Sequence, residues 1–171
     1  RSMALIHERL YRSGDLSKID FADYTRNLTS FLFRSYGVKL DVVKLRLDVE
    51  DVFLSIDKAI PCGLIINELL SNSLKYAFPG GRSGEVHIDL KRAGDSEFLL
   101  VIGDNGVGLP DGLDLKSTET LGMRLVVSLV RQLQGEMEID SSNGTRFDIR
   151  FRELKYRDRV IEAKSEDIAG S

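Results

Sequence analysis

A two-layer α/β domain, with helices on one face of a mostly antiparallel sheet, is the fold class this sequence predicts. Three observations carry it. Alternating runs such as Val43-Lys44-Leu45-Arg46-Leu47 recur along the chain and come in pairs around short polar turns. Single stretches with apolar residues at helical spacing separate those pairs. The resulting order is helices, strands, helix, strands, helix, strands.

Taken in order, Met3, Leu5, Ile6 and Leu10 mark a short helix over residues 1–11, broken at Ser13-Gly14-Asp15. A stripe with so little to cover it suggests a missing partner helix. A second helix is predicted from Phe21 to Tyr36, with Asp20 as N-cap, Gly37 as the stop, and Tyr24, Leu28, Phe31 and Leu32 on one side. Two short strands follow between Val38 and Ile56, with a turn near Glu50-Asp51. A longer helix runs from Ile60 to Phe78, where Pro61 suits a first turn and Pro79-Gly80-Gly81 ends the element. Strands Glu85–Lys91 and Phe98–Gly103 flank a turn at Ala93-Gly94-Asp95. A glycine-punctuated loop from Asp104 to Thr120 leads into a helix over Leu121–Leu133, stopped by Gly135. Strands Glu136–Asp140 and Thr145–Arg152 close the domain around Ser142-Asn143-Gly144. Beyond Leu154 the chain is densely charged, which predicts fraying or disorder.

Composition narrows the function classes. The 171 residues carry a net charge of −3, with 42% hydrophobic and 30% charged residues, as in one ordinary soluble domain. A pI of about 5.5 argues against a nucleic-acid binder working through a basic field. No apolar run approaches the roughly 20 residues that span a bilayer. The first ten residues lack a signal-peptide core, and the single cysteine, Cys62, cannot form an internal disulfide. A cytoplasmic, reduced setting is the expectation. Cys62, His7 and His87 have no zinc-ligand spacing, and Cys62 reads as a small core residue.

The Ile60–Phe78 helix is polar in an unusual way. With Glu68 set at zero and about 100° per residue, Asn72 falls near +40°, Lys75 near −20°, Ser71 near −60° and Asn67 near −100°. Glu68, Asn72 and Lys75 therefore form one axial stripe. A solvated face would account for such a stripe. Two asparagines, however, weaken a helix without structural return. A carboxylate, a carboxamide and an ammonium in one row also suit a nucleotide with magnesium. The helix alone leaves both readings open.

Three loops follow in fixed order. Asp104-Asn105-Gly106-Val107-Gly108 comes directly after a strand, and its glycines permit positive φ and close backbone approach. Asp104 could accept a hydrogen bond from an exocyclic amine such as that of adenine, or cap a turn. Thr120-Leu121-Gly122-Met123-Arg124-Leu125 opens a helix, offering either an anion site or simple capping. Gly144-Thr145 begins the last strand as a hairpin exit, or sets a hydroxyl near a base.

Together these segments resemble the ATP-binding catalytic domain of sensor histidine kinases, in the superfamily shared with DNA gyrase, the Hsp90 chaperones and MutL. Residues 67–78, Asn67-Glu68-Leu69-Leu70-Ser71-Asn72-Ser73-Leu74-Lys75-Tyr76-Ala77-Phe78, resemble the N box. Residues 104–108 resemble the first glycine box, 121–125 the second, and Gly144-Thr145 the following threonine element. The resemblance covers roughly residues 38–152. Residues 1–11 are similar to the second helix of the dimerisation and phosphoacceptor hairpin in kinases of the HisKA_2 and HWE type. Glu68 and the short loop before Gly122 suit that subgroup.

The resemblance implies a Bergerat-type α/β sandwich with a mixed sheet. Residues 1–15 would be a hairpin remnant, 16–154 the ATP-binding catalytic domain and 155–171 a charged tail. It implies ATP and Mg²⁺ as ligands, with Asn72 on the metal, Asp104 on the adenine amino group and Lys75 on phosphate. Glu68 would orient the nucleophile. Gly106, Gly108 and Gly122 would let the nucleotide approach, with Thr145 near the base and Tyr76 against or beside the purine. The reaction implied is transfer of the γ-phosphoryl group to a histidine in two-component signalling. Its partners would be the chain's own phosphoacceptor domain in a homodimeric parent and a response regulator, with no nucleic acid.

Some features depart from the pattern. The acceptor histidine belongs to a first hairpin helix that these residues lack, so His7 reads as structural. His87 reads as a strand surface residue. Pro110–Glu119 is short for an ATP lid, and no phenylalanine-rich box precedes it. Two rivals remain: an ATPase or anti-sigma-type serine kinase of the same superfamily, and a non-catalytic nucleotide-sensing module.

Overall fold

The computed structural model describes residues 18–109 and 120–153. The expected first helix, the short lid segment and the charged tail lie outside these residues.

Helix α1 (Phe21–Ser35) begins where expected. Asp20 accepts a hydrogen bond from the Asp23 amide at 3.0 Å, satisfying one of the first-turn donors. It ends in a Schellman motif. Gly37 adopts φ +63°, its amide reaches Arg34 O, and the Val38 amide reaches Phe33 O, both at 3.1 Å. Leu28 and Leu32 of the expected apolar side are buried, while Tyr24 and Phe31 are half-buried.

Helix α2 (Ile56–Asn72) differs from expectation at both ends. It starts four residues earlier, so Pro61 sits inside the helix rather than in its first turn. An internal proline removes one backbone bond and strains the turn before it. Here the start is fixed from outside: both carboxylate oxygens of Glu153 accept from the Ser55 amide, at 3.2 and 3.3 Å. At the other end the α-geometry stops at Asn72, and one π turn spans Ser73–Ala77 before a 3-10 turn at Pro79–Gly81.

The strands are β1 (Ile19–Asp20), β2 (Val43–Val49), β3 (Phe53–Leu54), β4 (Gly84–Arg92), β5 (Glu97–Asp104), β6 (Glu136–Asp140) and β7 (Thr145–Arg152). The main sheet has the order β2-β4-β5-β7-β6. Only β2 and β4 pair in parallel among these neighbours; the other pairs are antiparallel. The turn at Glu50-Asp51 does not make a hairpin, because β3 pairs with β1 instead.

Strand alternation separates two faces. Val86, Ile88, Leu90, Leu100, Ile102, Ile149 and Phe151 are buried in one core with Ile65, Ile66 and Leu70 of α2. The third helix, α3 (Leu121–Gln132), adds Met123, Val126, Leu129 and Val130 to that core. The opposite face carries charge, paired across strands: Arg46 with Glu85 and Asp89, Lys91 with Asp48, and Arg150 with Glu138. The fold is the two-layer α/β sandwich with a mixed, mostly antiparallel sheet that the sequence predicts.

Candidate functional site

The last residue of β5 organises one end of the site. Asp104 lies opposite Val86 on β4 and Thr145 on β7, so all three side chains share the helix-covered face. Asp104 and Thr145 are both buried. Asp104 Oδ1 accepts from the Gly106 amide at 3.0 Å, and Oδ2 accepts from the Ser73 hydroxyl at 2.7 Å. Ser73 opens the π turn. That turn is joined to the glycine loop a second time, by a 2.9 Å bond from the Val107 amide to Ala77 O.

The two loop glycines serve different ends. Gly108 adopts φ +73°, where an L side chain is strained. Gly106 does not; a Cβ there would collide with the Ala77 carbonyl. The missing side chain at Gly106 is thus demanded by the protein's own π turn, apart from any ligand that approaches the loop.

A second group forms where α2 meets α3. A Cβ on Gly122 would stand 3.1 Å from Glu68 Oε2, so the first turn of α3 abuts this carboxylate. Asn67 Nδ2 donates to Glu68 Oε1 at 3.2 Å, while Asn67 Oδ1 is buried without a partner among the described residues. The Thr120 side chain makes no capping bond, which leaves the first-turn amides of α3 open to another acceptor. From Glu68 to Ser73 the helix rises roughly 7.5 Å, with Asn72 between them, so α2 connects the two groups.

The structure does not bring every predicted residue into these groups. Past Asn72 the π turn winds more widely than an α-helix. Lys75 leaves the expected stripe, and its ammonium lies 5.5 Å from the centre of the Tyr36 ring at the end of α1. Tyr76 is exposed. His87 lies in β4, as expected, on the face away from the helices. It is half-buried against Gly103 rather than freely exposed. Burial pushes the His87 pKa down; Asp89 and Glu85 oppose this, and Arg46 and Arg146 add to it. Cys62 is a core residue whose thiol burial pushes up, so it stays protonated and inert.

Sequence reasoning missed one residue here, Ser73. Ser73 falls at about +140° on the wheel, among Leu69 and Ile66. A lone hydroxyl on an apolar arc is the signal that could have found it. Asn67, one of the two asparagines that the sequence flags, lies off the polar stripe, and its contact with Glu68 gives it a role.

A cavity of about 290 Å³ also opens at this end of the sheet, with Glu85, His87, Asn143 and Arg146 in its wall. Glu85, His87 and Arg146 belong to the charged face, Asp104 also lines the cavity, and Arg146 is already held by Asp148 at 2.6 Å. A metal ion needs other donors. Among the described residues no group of three or more His, Cys, Asp or Glu could hold one. Asn72 and Glu68 are hard oxygen donors in small number. That set suits Mg²⁺, which keeps water and phosphate oxygens in its shell.

Comparison with known proteins decides the family. Residues 57–155 match the family of histidine kinase-, DNA gyrase B- and HSP90-like ATPases. The chain belongs to that family. Residues 1–36 match a second histidine kinase family, HisKA_2, in keeping with the resemblance of the amino-terminal segment. The sensor histidine kinase PdtaS of Mycobacterium tuberculosis is 31% identical over 153 residues, 85% of this chain and 28% of that protein. Blue-light-activated histidine kinase 2 of Erythrobacter litoralis is 25% identical over 126 residues, 73% of this chain and 36% of that protein. The chain thus spans about a third of the length of these relatives. The solved histidine kinase domain of the Erythrobacter litoralis blue-light-activated kinase shares the fold, with a TM-score of 0.78 at 23% identity, over 88% of this chain and 71% of that one. None of the described helices of this ATPase-family domain is long and apolar enough to cross a membrane.

Proposed function

We propose that this domain binds Mg²⁺–ATP and transfers the γ-phosphoryl group to a histidine of its own dimerisation and phosphoacceptor domain. The observation that carries this reading is Asp104: a buried carboxylate at a strand end, held by Ser73 and Gly106 between two glycine-bearing loops. Ionised, it can only accept hydrogen bonds, which matches the exocyclic amine of adenine. Thr145, its neighbour on β7, would stand by the base, and exposed Tyr76 would flank it. Gly106, Gly108 and Gly122 would give the nucleotide room.

At the other end, Asn72 would hold Mg²⁺, which when bound neutralises charge on the phosphates. Lys75 would exchange its contact with Tyr36 for a phosphate oxygen. Glu68, held by Asn67, would orient the incoming imidazole. Neutral imidazole is already a competent nucleophile near pH 7, so the domain has mainly to position the reactants. The nitrogen attacks the γ-phosphorus, a P–N bond forms, and the bond to the ADP oxygen breaks. The acceptor histidine would come from the first hairpin helix of a homodimeric parent, and a response regulator would take the phosphoryl group next.

Calorimetric titration with a non-hydrolysable ATP analogue, with and without Mg²⁺, tests this. Saturable, metal-sensitive binding is expected. Asp104→Asn should weaken binding about tenfold or more under both conditions, since it replaces a charged acceptor. Asn72→Ala should remove chiefly the metal-dependent part. A folded chain that binds no nucleotide would overturn the reading in favour of an interaction module.

A further inference from the structure

We propose that Ser73 is a positioning residue for nucleotide recognition, aiming the Asp104 carboxylate so that the site selects a 6-aminopurine. The inference deepens the reading above and rests on Asp104 as the base-reading group.

A carboxylate at a strand end can turn about its last side-chain bond, and its selectivity depends on where its free lone pairs point. Here both oxygens are engaged. Oδ1 takes the Gly106 amide at 3.0 Å and Oδ2 takes the Ser73 hydroxyl at 2.7 Å, in a buried setting. Two donors from two elements fix the plane of the carboxylate and leave it one direction of acceptance on each oxygen. The Ser73 hydroxyl, spent on Oδ2, offers no donor to the ligand. The pair therefore accepts from an amino group and meets the carbonyl of a 6-oxopurine with a lone pair.

The position of Ser73 depends on the π turn. Val107 ties the far end of that turn to the glycine loop through Ala77 O. The hydroxyl is thus held on the same two segments as the carboxylate it aims. An alanine would leave Oδ2 to a water or to rotation. The fold would survive, because the residue already sits at the edge of the core with 9% of its surface exposed.

The test compares two ligands that differ only at the amino group: ADP and purine riboside diphosphate. Both are titrated into the native chain, Ser73→Ala, Ser73→Cys and Ser73→Thr. The native chain should prefer ADP by about tenfold or more, as a hydrogen bond to a charged group gives. Ser73→Ala should lose most of that preference, with purine riboside diphosphate bound within about twofold of native. Ser73→Cys, a poor donor of similar size, should behave alike. Ser73→Thr keeps the hydroxyl and should restore the preference. Equal losses for both ligands would mark Ser73 as structural and overturn the inference, as would an unchanged preference in Ser73→Ala. Those results leave Asp104 as the base reader. A folded native chain that binds neither ligand would overturn the ATP-binding reading itself, and this inference with it.

Discussion

Tyr24 places its hydroxyl in the interior, where it has no hydrogen-bond partner among the described residues. Burial pushes its pKa up, as does the nearby Cys62. An unsatisfied buried hydroxyl costs about 1–3 kcal/mol, so Tyr24→Phe should stabilise the domain by about 1 kcal/mol in urea unfolding. A loss of that size would mean that the hydroxyl has a partner. The same ring explains Gly63. A Cβ there would run into Tyr24 Oη and lie 2.7 Å from Cε1. Gly63→Ala gains about 1 kcal/mol of helix propensity, but overpacking of this kind costs about 1–3 kcal/mol and should win. At this scale the sequence was uneven as a guide. Asp104 and Glu68 stood out because charged groups beside glycines or asparagines need a reason. Ser73 did not, because its contact, to a residue 31 positions away, follows from tertiary structure.

Elements were legible where local chemistry ends them. Asp20 and Gly37 bracket α1 as read, since a cap and a left-handed stop act within a few residues. Both ends of α2 were misread for the opposite reason. Its start is held by Glu153 from the far end of the sheet, and its π turn by bonds to the glycine loop. Helix α3 ends one residue off expectation, and the cause is specific. Gly135 is not the left-handed residue; Gln134 is, at φ +54°. The Schellman bonds run from Gln134 to Arg131 O at 2.9 Å and from Gly135 to Val130 O at 3.0 Å. Across the layer, the Lys58 ammonium reaches Leu133 O at 2.9 Å and caps the same end. An L residue in this conformation costs about 1 kcal/mol or more, of which glycine recovers part. Gln134→Gly should therefore raise the urea midpoint, by about 0.5–1 kcal/mol in stability. A fall would show that the Gln134 side chain contributes more than its backbone costs.

On the scale of the whole molecule, the sheet separates a dry face from a charged one, and His87 is the titrating group caught between. The alternation that made the strands readable also fixed which residues face solvent. It could not show that β2 runs parallel to β4, because the connection between them crosses over through α2 rather than a tight turn. The charged face is largely self-paired, so it needs no partner to be stable. His87 sits in it beside Glu85 and Asp89 of its own strand, with Arg46 on β2, Gly103 on β5 and Arg146 on β7. Burial outweighs the two carboxylates and holds its pKa below the ordinary 6.5. The unfolded chain therefore binds this proton before the folded one does. Stability from this group is fully present above pH 6.5 and is lost as pH falls from there towards the lower folded pKa, by at most about 1.4 kcal/mol per pH unit. Urea unfolding at pH 7.5, 6.5 and 5.5 stays above the range where most carboxylates titrate. The native chain should lose stability across that window, and His87→Gln, which cannot take up the proton, should lose less. Parallel curves would mean that His87 has the same proton affinity folded and unfolded, and that the arginines and carboxylates around it cancel the effect of burial.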